Sequence, residues 1–288
     1  MATAGHGRMI FFVGNSFVMS QSQSIVSFEG NIAEQYEELL GPFLFEPFAA
    51  DLSARTGDLS SSSILELACG TGRLTRHLAF ALGPKARLVA TDINAEMLAV
   101  ARHEVAHPRI EWSEADIADL PFGDAEFDLV ISQFGMMFPA DKAKAFAETR
   151  RVLRKGGRLL FNSWGPGASN PVWALLAEGL RSVFGDSTNG PIAQPFSLSE
   201  EAPVLQQLED SGFTRVSAHR VRLTVQIESA ALAAQGMIAG LPVINLIRQR
   251  APEALPGMLE RLAARYAEVL GDHPMAAPVN ARVFEAVV

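Results

Sequence analysis

Apolar and polar positions follow two different periods along the chain from residue 64 onward. Short apolar runs such as ILELA have strand length, and the next stretch, GRLTRHLAFAL, places Leu74, Leu78 and Leu82 on one helical face. Strands that alternate with helices of this length favour parallel pairing through right-handed crossovers. The pattern therefore predicts an α/β fold with a doubly wound sheet over residues 60–165. The predicted strands are 64–68, 87–93, 109–116, 127–134 and 158–164. The predicted helices are 72–82, 94–106 with Asn94 as its N-cap, and 143–153, which Lys155-Gly156-Gly157 ends before the next strand.

The flanking segments have other patterns. Residues 28–55 have the apolar spacing of one or two amphipathic helices, and 166–200 is a connection rich in Pro and Gly with a helix around Trp173 to Phe184. We interpret residues 1–24 as a loose extension that precedes the fold. Further elements are predicted toward the C-terminus: a helix at LQQLEDSGF, a strand at TRVSAHRVRLTVQI, helices over 229–270 and a closing strand at ARVFEAVV.

Composition narrows the class of protein. A chain of 288 residues that is 48% apolar can bury a full core, and its net charge of −8 with scattered Lys and Arg argues against nucleic acid as a partner. No apolar run approaches the roughly 18 residues of a membrane span. The single cysteine, Cys69, excludes an internal disulfide and a cysteine-based zinc site, so we expect a reducing compartment, the cytoplasm by default, and predict no metal site.

The stretch after the first predicted strand carries the first chemical signal. Gly70 and Gly72 stand in the CGTG turn between that strand and a helix, where backbone N–H groups can approach a ligand that side chains would exclude. Asp92 ends the second strand, where a carboxylate can accept hydrogen bonds from both hydroxyls of a ribose. These positions predict a nucleotide-like cofactor, and they suit NAD and S-adenosylmethionine equally.

Three further features favour S-adenosylmethionine. Thr75 stands where dinucleotide-binding turns prefer a third small residue. Glu66 places a carboxylate inside the first strand, which is costly unless it serves a partner, such as a ligand ammonium contacted through water. Asp116 adds acid after the third strand, near the expected adenine amino group, where a pyrophosphate would be repelled and a sulfonium amino acid would not.

Four motifs in order resemble one known family. ILELACGTGRLT, LVATDINAEMLAVAR, ADIADLPFGDAEFDLVISQFGMMF and ETRRVLRKGGRLLFNSW are similar to the class I S-adenosylmethionine-dependent methyltransferases, in the group of the ubiquinone/menaquinone-biosynthesis enzymes. The resemblance is strong over 28–165. It implies a Rossmann-like, mostly parallel sheet of seven strands with a final antiparallel hairpin, formed by one methyltransferase domain over residues 25–288. It also implies an enzyme that uses S-adenosyl-L-methionine.

The resemblance implies roles for residues around the methionine part of the cofactor. Ala68, Gly70 and Gly72 would make backbone contacts there, with Cys69 in the same turn as a small buried residue rather than a nucleophile. Gln133, at the end of the fourth strand, would offer its main chain or amide near the methionyl group.

Other residues would contact the nucleoside. The resemblance assigns Asp92 to the ribose, and Ile93 and Met97 to packing against adenine. Asp116 would accept a hydrogen bond from the adenine amino group, and Ile117 would contribute its backbone N–H.

The resemblance also implies a helical lid over residues 28–55, from which Tyr36 could reach the cofactor carboxylate. The acceptor would bind at the carboxyl ends of the strands, between this lid and insertions at 166–200 and 229–275. Because these segments are rich in Phe, Leu, Ala and Met, we expect a small, fairly apolar O-, C- or N-acceptor.

Several alternatives stay open at the level of sequence. The activated sulfonium methyl needs chiefly an acceptor held in line, so no pattern identifies a catalytic acid or base. A non-catalytic module that binds S-adenosylmethionine and a nicotinamide-dependent oxidoreductase on a similar fold are the other interpretations. A homodimer is also compatible with the apolar surface of the N-terminal helices.

Overall fold

The computed structural model describes residues 31–60, 62–185 and 193–288, so the predicted extension 1–24 lies outside the described residues. Within them the chain forms a seven-stranded sheet in the order β3-β2-β1-β4-β5-β7-β6, with helices on both sides. Strands β1 to β5 are parallel, and β7 pairs antiparallel with both β5 and β6. This confirms the predicted fold class and the final antiparallel hairpin. The strands are β1 (Ser63–Glu66), β2 (Arg87–Asp92), β3 (Ile110–Glu114), β4 (Phe127–Gln133), β5 (Leu153–Trp164), β6 (Thr214–Ile227) and β7 (Met275–Val287).

The N-terminal helical segment is continuous over Ile32–Ala54 but changes its winding in the middle. Helix α1 (Ile32–Gln35) passes into a π-helical stretch (Tyr36–Phe45), which leads into α2 (Glu46–Ala54). Such π-helical winding is rare in proteins overall, and where it does occur it is often at a functional site. The other helices are α3 (Arg73–Ala81), α4 (Ala95–Glu104), α5 (Lys142–Val152), α6 (Pro171–Phe184), α7 (Glu201–Asp210), α8 (Ala230–Ala239), α9 (Val243–Arg250) and α10 (Leu255–Leu270).

Most boundaries agree with the sequence pattern to within a few residues, but β5 begins at Leu153 rather than at 158, and β7 begins at Met275 rather than at 281. Asn94 caps α4 as predicted, because its side chain accepts hydrogen bonds from the N–H groups of Glu96 and Met97. The prediction that Lys155-Gly156-Gly157 ends a helix and precedes a strand was wrong, since β5 already begins at Leu153. The Gly156 N–H donates to Val288 and the Val288 N–H to Gly157, so the C-terminal residue holds these glycines at the sheet.

The N-terminal segment packs closely on α8. Gly236, inside α8, and Gly240, which directly follows it, allow this close approach. A Cβ added at Gly236 would lie 3.2 Å from side-chain atoms of Leu39 and Leu40, and one at Gly240 would lie 2.9 Å from Leu40. These helices therefore sit together beside the sheet. Among the described residues no single helix has the length and apolarity to cross a membrane. Taken together, α8 and α9 reach that length and apolarity, but they are bent by 79° relative to each other.

Candidate active site

The turn after β1 places its backbone in left-handed conformations. Ala68, Gly70 and Gly72 have φ of 50°, 56° and 87°. A Cβ added at Gly70 would meet no atom within 4 Å, so open space lies beside this part of the turn. At Gly72 the same atom would lie 3.0 Å from Val105, which means that this glycine allows close packing of the turn on the region after α4. The two glycines therefore have different roles: Gly70 leaves space for a ligand, and Gly72 allows close packing.

Asp92 lies directly against the glycine turn. Its Oδ2 accepts a 2.8 Å hydrogen bond from the Gly70 N–H, and its Oδ1 accepts one of 2.9 Å from the Asn94 N–H. The carboxyl group is almost fully buried, and burial raises its pKa while these backbone donors oppose the shift. The structure therefore brings together two residues that the sequence assigned to one site.

Glu66 is the most unusual carboxyl group of the site. It is 1% exposed, and neither of its carboxyl oxygens has a hydrogen-bond partner among the described residues. The hydroxyl of Thr75, on α3, is likewise buried without a hydrogen bond. Burial raises the pKa of Glu66 to about 8, and the negative charge of Asp92 adds to the shift. The nearby hydroxyl and backbone N–H of Thr75 oppose it, although they do not reach hydrogen-bond geometry. Burial also raises the pKa of Cys69, as expected of an unreactive thiol.

The unsatisfied carboxyl group beside an open glycine turn fits the predicted cofactor. Buried polar groups are nearly always hydrogen-bonded, so Glu66 is a site where a polar ligand or a water bound with it would complete the structure. S-adenosylmethionine carries an ammonium group that suits a carboxylate and ribose hydroxyls that suit Asp92.

The residues predicted at the nucleoside lie along the ends of β2 and β3. Ile93 is 56% exposed, whereas Met97 and Ile117 are buried. Asp116 is exposed, and its Oδ1 accepts a 2.8 Å hydrogen bond from the Ala118 N–H, which forms a tight turn after β3. These side chains border the same edge of the sheet as Asp92, with an exposed apolar side chain and an exposed carboxylate available to a ligand.

Tyr36 and Gln133 belong to the contact between the N-terminal segment and the sheet. The Tyr36 ring stacks on Phe45 with centroids 4.7 Å apart, and burial together with the charges of Glu37 and Asp92 raises its pKa. The side-chain amide of Gln133 donates a 2.7 Å hydrogen bond to the Phe45 carbonyl. Gln133 thus joins the end of β4 to the N-terminal segment, and its amide nitrogen is already engaged there.

An ion-pair network, which the sequence did not reveal, joins the N-terminal segment to the glycine turn. The buried Glu37 accepts hydrogen bonds from the Thr71 hydroxyl at 2.7 Å and from Arg73 Nε at 3.0 Å. Arg73 also donates to the Glu37 carbonyl and approaches Glu46, and a Cβ at Gly41 would lie 2.5 Å from its guanidinium. Charged residues on an amphipathic helix usually indicate a solvated face, so the sequence carried no signal of this contact.

An aromatic cluster occupies the region beyond β4 and β5, and we define it as Phe45, Phe48, Phe134, Trp164 and Trp173. Phe134 and Trp164 stack with centroids 4.0 Å apart and an interplanar angle of 13°. Phe48 meets both rings edge to face, and Phe45 and Trp173 pack against Trp164 at 6.1 and 5.7 Å. Four separate segments of the chain contribute these rings.

The backbone of Phe134 has a left-handed conformation, with φ of 53°. Its N–H donates a 2.8 Å hydrogen bond to Asn162 Oδ1, which holds the ring in place against Trp164. The sequence analysis did not single out Asn162, although a buried Asn inside the apolar run RLLFNSW was an available signal.

A glycine turn after β1, a carboxylate at the end of β2 and a closing antiparallel hairpin are the features of the class I S-adenosylmethionine-dependent methyltransferases. The family model described as "Methyltransferase domain" matches residues 64–157. The enzyme named ubiquinone/menaquinone biosynthesis C-methyltransferase UbiE of Pseudomonas syringae is 40% identical over 197 residues, which are 62% of this chain and 74% of that protein. The protein of the same name from Hahella chejuensis is 40% identical over 121 residues, 41% of this chain and 47% of that protein.

A solved structure shows the same fold. Phosphoethanolamine N-methyltransferase 2 of Haemonchus contortus, in complex with phosphomonomethylethanolamine and S-adenosylhomocysteine, has a TM-score of 0.58 and 17% identity, covering 88% of this chain and 57% of that chain. The chain belongs to the class I S-adenosylmethionine-dependent methyltransferases, in the group similar to the ubiquinone/menaquinone-biosynthesis enzymes. It is an enzyme of this kind with S-adenosylmethionine as its cofactor.

Proposed function

We propose that the enzyme methylates a ring carbon of a small, planar, quinol-type acceptor. The observation that carries this proposal is the aromatic cluster, in which the buried rings of Phe134 and Trp164 stack on each other. The cluster lies beside the cofactor turn, since a Cβ added at Gly135, next to Phe134, would lie 2.5 Å from the Ala68 side chain. Planar rings pack well on such faces in an offset or edge-to-face arrangement. The names of the relatives, which refer to C-methylation in ubiquinone and menaquinone biosynthesis, support the same acceptor class.

We further propose how this chain holds its cofactor. Asp92 would accept hydrogen bonds from the ribose, with Ile93, Met97, Asp116 and Ile117 around the adenine. The turn from Ala68 through Cys69 to Gly72 would face the methionine part, together with Tyr36, Glu66 and Gln133. When bound, S-adenosylmethionine supplies a methyl group that its sulfonium already activates. An ammonium near Glu66 would favour the ionised carboxylate, because opposite charges lower the pKa of an acid.

The protein's own contribution to the reaction is then largely positional. The rings of the cluster would orient the acceptor and exclude water, which is the part of catalysis that a preactivated methyl group requires. These five side chains are uncharged, so the negative charge that makes a ring carbon nucleophilic would reside on an ionised phenolic oxygen of the acceptor itself.

The N-terminal segment would act as the lid of this site. Glu37 and Arg73 join it to the cofactor turn, and Phe45 and Phe48 extend from it into the aromatic cluster. One segment therefore contacts both the cofactor side and the acceptor side. We propose that the insertions at 166–200 and 229–275 form the remaining walls, because Trp173 packs against Trp164 and α8 packs closely on the N-terminal segment.

The test of the proposed function is methyl transfer in vitro to a panel of benzoquinols, naphthoquinols, simple phenols and amines, read by mass spectrometry. We expect the mass gain of one CH2 unit on quinols, with isotope-labelled methyl appearing on a ring carbon by NMR. Methylation of amines or of phenolic oxygens, with quinol carbons unmodified, would contradict the proposed acceptor.

A further inference from the structure

Two hydrogen-bond donors in the aromatic region have no partner among the described residues. They are Nδ2 of Asn162 and Nε1 of Trp173. Asn162 is fully buried and Trp173 is nearly so. A buried donor without an acceptor costs free energy, and native structures rarely leave one in that state. Two such donors beside one cluster make this region a candidate binding site for a polar ligand group.

The orientation of Asn162 follows from its other hydrogen bond. Its Oδ1 accepts from the Phe134 N–H, which assigns the oxygen and leaves the amide NH2 as the group without a partner. In β5, Asn162 and Trp164 are two residues apart and share one face of the strand. The amide therefore lies on the side of the sheet where Trp164 stacks on Phe134.

Trp173 approaches the same rings from another element. It stands in the first turn of α6, and its ring packs against Trp164 at 5.7 Å and edge to face against Phe196 at 5.9 Å. Rings satisfy the apolar part of its indole, but aromatic contacts of this kind do not replace the hydrogen bond that a buried indole N–H usually makes.

We infer that Asn162 Nδ2 and Trp173 Nε1 donate hydrogen bonds to an oxygen of the acceptor, and thereby select ring acceptors that carry a quinone or quinol oxygen over plain aromatic rings. This inference rests on the proposed function. A site built to donate to an oxygen rejects the analogue without it far more strongly than an apolar pocket distinguishes by size, because the donors are then left unpaired.

The test compares 1,4-naphthoquinone with naphthalene, two rings of similar shape that differ in their oxygens. Binding is measured by equilibrium dialysis in the presence of saturating S-adenosylhomocysteine. The only cysteine of the chain is buried with its pKa raised, so the quinone meets no reactive thiolate. We expect the wild type to bind naphthoquinone at least roughly tenfold more tightly than naphthalene.

Trp173→Phe is the first variant, because it keeps a ring and removes the N–H. It should reduce the preference for naphthoquinone by roughly tenfold and leave naphthalene binding unchanged. Trp112→Phe, the same change on β3 and outside the cluster, is the matched control and should keep the full preference. Unchanged affinity for S-adenosylhomocysteine shows that each variant is folded.

Asn162→Asp is the second variant, because it keeps an oxygen for the Phe134 N–H and replaces the donor. At low pH the introduced carboxyl group is neutral and can still donate a hydrogen bond through its O–H. At higher pH it is a carboxylate, which can only accept. The preference should therefore fall between pH 6 and pH 9 in this variant and stay constant in the wild type. The inference would be overturned, with the proposed function left standing, if both variants kept the full preference for naphthoquinone. An equal loss of affinity for naphthoquinone and naphthalene would overturn it in the same way. Binding of neither ring to the wild type would overturn both.

Discussion

Glu66 gives the sharpest prediction about this enzyme, namely that replacing it by Gln removes a pH-dependent loss of stability. Its pKa is about 8 in the folded chain against an ordinary value of 4.5. Below pH 4.5 the carboxyl group is neutral in both the folded and the unfolded chain. Between 4.5 and about 8 only the unfolded chain ionises, so this group lowers the free energy of unfolding by about 1.4 kcal/mol per pH unit. Above about 8 the carboxyl group is ionised in both states, so the loss of stability is complete and does not grow further.

The magnitude follows directly from this window. Between pH 5.0 and pH 7.5 the wild type should lose about 3 kcal/mol of stability relative to Glu66→Gln, measured by urea unfolding at both values. Glu111→Gln is the matched control. The Glu111 carboxylate is held by Arg87, which lowers its pKa, so it is ionised throughout this pH range. Its replacement should therefore leave the change in unfolding free energy between pH 5.0 and pH 7.5 as it is in the wild type. Parallel stability profiles for the wild type and Glu66→Gln would refute the reasoning.

The same group should respond to the cofactor. If the ammonium of S-adenosylhomocysteine lies near Glu66, binding at pH 7 will ionise the carboxyl group and release a proton. Calorimetry in buffers of different ionisation enthalpy should show this proton for the wild type and not for Glu66→Gln. Equal proton release by both proteins would place the ammonium elsewhere.

The remaining predictions concern the cofactor turn and the lid. Asp92→Ala should weaken binding of S-adenosylhomocysteine by about 1–3 kcal/mol in calorimetry with the fold retained, and unchanged affinity would exclude its ribose role. Gly70→Val should abolish that binding by filling the open space, whereas Gly72→Val should chiefly lower the thermal midpoint because its side chain meets the chain after α4. Glu37→Gln should weaken the pairing with Arg73, and hydrogen exchange over 31–54 should then lose the protection that S-adenosylhomocysteine gives to the wild type; identical exchange with and without the ligand in the wild type would contradict a lid.

Local patterns were enough to predict the elements that build the cofactor half of the molecule. The spacing of apolar residues separated strands from helices because each structure repeats its buried face at its own period. Asn94 was recognisable as an N-cap because capping depends on side-chain chemistry within three residues. The Asp92 and Gly70 positions were recognisable because the ends of adjacent parallel strands bring them to one edge.

Interactions between distant segments were beyond such reasoning. The early start of β5 depends on pairing of Leu153 with Phe127, and the end of the chain pairs with Gly156 and Gly157. The Glu37 to Arg73 network joins residues that carry no mutual signal in the sequence, since a charged position on a helix is usually solvated.

The sequence by itself determined the class of fold, the cofactor and which residues meet at the edge of the sheet proposed to hold it, because these depend on periodicity and on short motifs whose geometry is local. Only the tertiary structure decided how the aromatic cluster, the proposed acceptor side, is built. Phe45, Phe134, Trp164 and Trp173 meet there through packing of four separate segments. Which buried donors remain without partners, as Asn162 does, depends on the whole of that packing, because a hydrogen bond is satisfied or left open only by the neighbours that the complete fold brings within reach.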